Sequence, residues 1–131
     1  MVLKVVEEDG HGAWSVLRVS GELDLVTAPL VRRRVHDVVA VGGHELVLDL
    51  SGVRFCDSSG VGMLIAARRL LRSCGGSLRL ILPAQAEAGA DGSHVARVLT
   101  AVGVRRLFDV YPDLATAAAA TYRPPTGADA D

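Results

Sequence analysis

The tetrapeptide Asp57-Ser58-Ser59-Gly60 is where this sequence gathers its chemistry. It follows a continuous apolar run, Leu46-Val47-Leu48-Asp49-Leu50, which reads as a buried strand, and the short connection Ser51 to Cys56. A helical pattern comes after it. Asp57, Ser58 and Ser59 are all suited to cap that helix, because a side-chain oxygen there accepts one of the unpaired backbone N–H groups of the first turn. With Ser58 as the cap, a hydroxyl stands where free N–H groups and the positive end of the helix dipole gather, so an added phosphate is electrostatically tolerated. The chemistry that fits is phosphate acceptance. Gly60 and Gly62 carry no Cβ and so let another backbone approach the start of the helix closely. Against this stands the plain reading that the four residues only start a helix, which capping preferences alone favour.

Other chemistries fit less well. A serine hydrolase wants a Gly-x-Ser-x-Gly elbow and an orienting base, whereas Cys56 stands two before Ser58 and no histidine is locally coupled. His11, His36, His44 and His94 are scattered, without the i, i+4 company of a metal site. Gly60-Val61-Gly62 has Ile65 where a dinucleotide fingerprint has its third glycine, so nucleotide binding is not supported and no cofactor is implied. Asp49, near the end of a central strand, resembles a phospho-aspartate acceptor. That chemistry wants a strand-end lysine, and the chain's single lysine is Lys4, at the wrong end.

Composition narrows the classes further. A chain of 131 residues fits one domain with a single core, read here as residues 1–122 with a disordered tail at 123–131. The net charge of −1 and the scattered basic residues indicate no direct nucleic-acid contact, and the Arg32-Arg33-Arg34 and Arg68-Arg69 runs read as solvated helix faces. Cys56 and Cys74 lack Cys-x-x-Cys spacing and are read as reduced thiols. The apolar start Met1 to Val6 is too short for a signal peptide, and no window reaches membrane-spanning length, so the expected location is cytoplasmic, without membrane insertion.

The elements that must position the tetrapeptide follow in order. Val2 to Glu7 and Trp14 to Val19, joined across Asp9-Gly10-His11-Gly12, read as a hairpin, with Gly21-Glu22-Leu23-Asp24 ending the second strand. Thr27 is the expected N-cap of a helix with Pro29 in its first turn and Leu30, Val31, Val35, Val38 and Val39 at helical spacing, closed by Gly42-Gly43. In the helix after Ser58, the residues Met63, Leu64, Ala67, Leu70, Leu71 and Cys74 gather on one side, the core face. Val61 and Ile65 instead project among Arg68, Arg69 and Arg72. Either a neighbouring helix covers them, or they form with Gly62 and Arg69 a docking patch around Ser58. Ser77 to Leu82 reads as a strand stopped by Pro83, residues 84–92 as a loop, and Ser93 to Val102 as a helix. Arg105 to Val110 reads as a short strand, and Pro112-Asp113 starts a final helix to about Tyr122.

Two stretches carry a resemblance. "LVLDLSGVRFCDSSGVGMLIAARRLLRSCGGSLRL", preceded by "VSGELDLVTAPL", resembles the anti-sigma factor antagonists of the STAS family, from Ala13 to Leu82 and more loosely from Ser93 to Thr121. The resemblance implies an α/β, STAS-like fold, a mixed β-sheet of about 4–5 strands packed with about four α-helices. It implies no enzyme, but a protein that binds an anti-sigma factor serine kinase while unphosphorylated and is released when that kinase phosphorylates Ser58, so regulating sigma-factor-dependent transcription. A serine phosphatase would reset it. In the family the loop at Asp24 lies near the phosphoacceptor and helps contact the kinase. Together with the patch read on the helix after Ser58, the expected partner surface is Asp24, Asp57, Ser58, Ser59, Gly60, Val61 and Gly62, with Ile65 and Arg69. The alternative within the same family is a structural or scaffold subunit of a signalling complex or a membrane-transport ATPase, with Ser58 merely a cap.

Overall fold

Alternation in the hydrophobic pattern decides which face of each strand meets the helices, and β3 (Glu45–Cys56) shows it best. The computed structural model describes residues 3–8, 11–83 and 103–119. β1 (Leu3–Glu8) and β2 (Ser15–Leu23) form the expected antiparallel hairpin, and β3, β4 (Ser77–Ile81) and β5 (Asp109–Tyr111) add in parallel, giving the sheet order β1-β2-β3-β4-β5. α1 (Ala28–Ala40) joins β2 to β3 and α2 (Ser58–Ser73) joins β3 to β4. The result is the α/β arrangement that the resemblance implied.

Leu46, Leu48 and Leu50 of β3 bury against Val31, Val35 and Val38 of α1 and Met63, Leu64, Ala67 and Leu71 of α2. Val47 joins Trp14, Val16, Ile81, Tyr111 and Ala117 in a smaller cluster of its own. Beyond Leu50 the alternation becomes a three-residue rhythm, with Val53 and Cys56 buried and the pairs between them exposed. Two register shifts against β2 explain it: Arg18 and Ser20 stand opposite Asp49 and Gly52, and Gly21 and Glu22 opposite Val53 and Phe55. Each shift adds a residue to β3, as a β-bulge does, and each returns the next apolar side chain to the core. Ser51 to Cys56 is therefore strand, not the short connection expected. Asp49 is buried, with one oxygen accepting from Ser51 N and Ser51 Oγ and the other from Arg18 Nε.

The end of the chain departs from expectation. The strand expected at Arg105–Val110 is a single helical turn, α3 (Val104–Leu107), followed by β5. Val104 and Phe108 are buried at i, i+4, a helical spacing rather than a strand alternation, and Phe108 N donates to Val104 O at 2.9 Å. Gly103, at φ +80°, makes the bend that starts the turn. The last helix among the described residues, α4 (Leu114–Ala117), is capped by Asp113, whose carboxylate accepts from Thr116 N at 2.8 Å; it closes at Ala117, short of the expected end at about Tyr122. Arg79 shapes this end: its Nη1 donates to Ala117 O at 2.7 Å and Ala119 O at 3.3 Å, the carbonyls a helix end leaves open. Cys74, expected on the core face of α2, is the exposed C-cap, one step past the last helical turn. The expected loop at 84–92, the helix from Ser93 and the tail at 123–131 lie outside the described residues.

Candidate functional site

Parallel strands deliver their following loops to one edge of a sheet, and β2 and β3 end side by side. Leu23 stands opposite Cys56, and Asp57 N donates to Leu23 O at 3.1 Å, so Asp24 and Asp57 leave neighbouring strand ends. α2 starts there. Asp57 is its N-cap: the backbone is extended, at φ −107° and ψ −169°, and Oδ1 accepts from Ser59 N at 2.8 Å and Gly60 N at 3.3 Å. This corrects the reading of Ser58 as the cap.

Ser58 is the first helical residue, exposed, and its hydroxyl is engaged by no described residue. The correction sharpens the electrostatics. The helix dipole still favours an anion at Ser58, but the N–H groups of Ser59 and Gly60 already serve the Asp57 carboxylate, which would repel a second negative group beside it.

The two glycines of α2 differ. Gly60 is buried, and a Cβ on it would lie 2.6 Å from Cys56 Sγ and 3.0 Å from Leu23 Cβ, whereas one on the exposed Gly62 meets nothing within 4 Å. The close approach at Gly60 is thus made by the chain's own β2 and β3, and Gly60 is structural. Burial pushes the neighbouring Cys56 thiol up to about 11, which keeps it protonated. Gly60→Ala is expected to cost about 1–2 kcal/mol by overpacking, and Gly62→Ala to stabilise by about 0.5–1 kcal/mol through helix propensity. Thermal melts of the two single variants check the opposite signs.

Asp24 is half-buried and organises its loop. Its Oδ1 accepts from Val26 N at 2.9 Å and Thr27 N at 3.0 Å, while Asp24 N donates to Thr27 Oγ1 at 2.9 Å. Thr27 holds the N-cap position of α1 but makes no side-chain cap bond; its hydroxyl donates instead to Glu22 O. The Thr27 backbone bond, helped by the Thr27 hydroxyl and Val26, holds the Asp24 carboxyl below the usual carboxylate range. A pKa lowered on folding contributes stability at neutral pH that is lost as pH falls through the folded value. Amide resonances of Val26 and Thr27 should therefore stay unchanged through the ordinary aspartate range and shift only below it.

Asp57, Ser58, Ser59, Gly60, Val61 and Gly62 share the first turn and a half of α2. Measured from Ser58, Ile65 lies about 10 Å and Arg69 about 16 Å along the axis. Val61 and Ile65 are half-buried and pack against the main core, so the apolar patch expected around them is partly consumed internally; Arg69 is exposed. The apolar surface lies on the other side of Ser58. Leu25 is 75%, Val26 70% and Leu30 54% exposed. Of these, Leu25 lines a groove of about 220 Å³, with Ala28 and Pro29 on the α1 side and Ser59, Gly62 and Met63 on the α2 side; Arg32 also borders it. Leu25-Val26, an apolar pair straight after a strand-ending aspartate, was its one signal in the sequence.

Comparison with known proteins bears on the family and the fold. The family model described as STAS domain matches residues 3–117. The anti-sigma-F factor antagonist RsfB of Mycobacterium tuberculosis is 31% identical over 104 residues, 79% of this chain and 78% of that protein. The anti-sigma F factor antagonist of Paenibacillus polymyxa is 32% identical over 74 residues, which span 56% of this chain and 63% of that one. The crystal structure of an anti-sigma factor antagonist from Mycobacterium paratuberculosis superposes with a TM-score of 0.73 at 32% identity, covering 88% of this chain and 91% of the other. Among the described residues, no helix is long and apolar enough to cross a membrane.

Proposed function

The chain belongs to the STAS domain family, and from that membership we propose that it is an anti-sigma factor antagonist switched at Ser58. Unmodified, it binds a serine-kinase anti-sigma factor and so frees a sigma factor. The kinase transfers the γ-phosphoryl group of ATP to Ser58 Oγ, the hydroxyl proton leaves to solvent or a kinase base, and the modified protein is released. A serine phosphatase restores the free hydroxyl. The chain itself performs no catalysis, and as a partner of transcription factors it works in the cytoplasm.

The observation that carries this reading is the exposed, unengaged hydroxyl of Ser58 at the first helical position, beside the Asp57 carboxylate. A phosphate there adds about −1.5 to −2 charge next to a carboxylate already fixed by two backbone bonds. In a desolvated interface, repulsion and lost desolvation oppose docking, while the dipole leaves the fold undisturbed. Asp24 lies one strand over and defines the neighbouring edge of the surface.

The test is to mix the unmodified protein with each purified serine-kinase anti-sigma factor of the same genome, with and without ATP. A complex that forms without ATP and dissolves as the protein gains one phosphate is expected. No complex with any of them, and no phosphate uptake, would instead favour a structural subunit in which Ser58 only begins a helix.

A further inference from the structure

We propose that the groove between the start of α1 and the start of α2 receives an apolar side chain of the anti-sigma factor, with an acidic group beside it facing Arg32; this rests on the antagonist reading above. Of the seven exposed large apolar side chains among the described residues, Leu25 lines this groove and Val26 follows it directly in the chain. Apolar side chains gathered in one place, unlike single ones, mark contact surfaces. They are also pre-positioned: the Asp24 carboxylate takes the N–H groups of Val26 and Thr27, and the Thr27 hydroxyl ties the corner to Glu22 O. A partner that docks there orders little that is not already ordered.

Distance identifies the occupant. Gly62 is one helical turn from Ser58, and Ser59 and Gly62 both line the groove. A standard interface covers about 800 Å² per partner, a disc of about 16 Å radius, so a kinase that closes over Ser58 also covers the groove. Binding energy concentrates where an apolar anchor fills a concave site near the middle of such a disc. Gly62 keeps the α2 wall low, since even a Cβ there would meet no neighbour. The exposed guanidinium of Arg32 supplies positive charge at the same place, where an acidic group complements it.

The experiment titrates the unmodified full chain against a purified serine-kinase anti-sigma factor of the same genome, without ATP. Leu25→Glu puts a charge in the groove, Gly62→Leu fills it, and Val41→Glu alters an exposed apolar side chain just past the far end of α1. The first two are expected to bind at least about 30-fold more weakly with unchanged or higher melting temperatures, and Val41→Glu to bind within about twofold of the parent. If the parent binds and both groove variants bind within about threefold of it, the groove inference alone fails. If the parent binds no kinase, the antagonist reading fails and the groove inference falls with it. A free protein that is dimeric, and made monomeric by Leu25→Glu without loss of kinase affinity, would assign the groove to a second copy and overturn the proposal.

Discussion

Phosphorylation of Ser58 is expected to lower affinity for the serine-kinase anti-sigma factor by about 200- to 1,000-fold, corresponding to about 3 to 4 kcal/mol. The magnitude follows from where the charge lands. Ser58 sits at the first helical position, and the N–H groups of Ser59 and Gly60 are already committed to Asp57. The new dianion therefore gains the helix dipole but not those donors, and it faces Asp57 within an interface that excludes water. A charge left uncompensated there costs several kcal/mol. Ser58→Asp, with a single charge on a shorter arm, is expected to lose about 10- to 100-fold, and Ser58→Ala to bind near the parent level while taking up no phosphate. All three proteins should melt within about a degree or two of the parent, since the exposed hydroxyl supports nothing in the fold. Equal affinities for the modified and unmodified protein would contradict the electrostatic switch.

Arg79→Ala is expected to destabilise the fold by about 3–4 kcal/mol, the largest effect foreseen for a single substitution away from the Ser58 surface. Arg79 is 4% exposed, with its guanidinium carbon 4.0 Å from the centre of the Trp14 ring and 4.8 Å from that of Tyr111. Its Nη1 donates to Ala117 O and Ala119 O, so one side chain both fills the smaller core and closes α4. Removing it leaves a cavity between two aromatic rings, ends two cation–π contacts and strands two carbonyls. Arg79→Lys keeps a charge but not the planar fork, and should recover less than half of the loss. Trp14 is the chain's sole tryptophan, so its emission reports this site directly in denaturant titrations. A loss below about 1 kcal/mol would mean that α4 is held by other contacts.

The fold was legible wherever burial follows a simple period. The hairpin, α1, the apolar first half of β3, α2 and β4 all announce themselves by alternation or helical spacing, and the glycine pairs at Gly42-Gly43 and Gly75-Gly76 mark their turns. Legibility failed where that period breaks. The two bulges of β3 replace alternation by threes, so Ser51 to Cys56 reads as a loop although it pairs with β2 to its end. α3 is a single turn, too short for its i, i+4 pair Val104 and Phe108 to be told from a strand of apolar residues. Arg79 was silent for another reason: an arginine alternating within Ser77 to Leu82 looks like an outward-facing residue, and only the tertiary arrangement of Trp14, Tyr111 and α4 makes its place a buried one.

At the site, the tetrapeptide Asp57 to Gly60 was identifiable as a helix start, but three good caps in a row leave the choice to backbone geometry, and the extended Asp57 takes it. Gly60 looked like an opening for a partner because a missing Cβ gives no hint of which neighbour exploits it; here that neighbour is Leu23 with Cys56. Val61 and Ile65 were ambiguous between docking and burial, and they pack partly on the core. Leu25 and Val26 carried no periodic signal, since their exposure is decided by the turn that Asp24 and Thr27 hold, and Leu30, expected with the apolar residues of α1, is exposed instead.

The central claim is that one hydroxyl, that of Ser58, receives the phosphate that decides between bound and free. Incubation of the protein with a purified serine-kinase anti-sigma factor of the same genome and ATP, followed by mass-spectrometric localisation of the modification, tests it most directly. A single phosphate on Ser58, absent from Ser58→Ala, is the predicted result. Phosphate on Ser59 or elsewhere, or uptake that persists in Ser58→Ala, would contradict it.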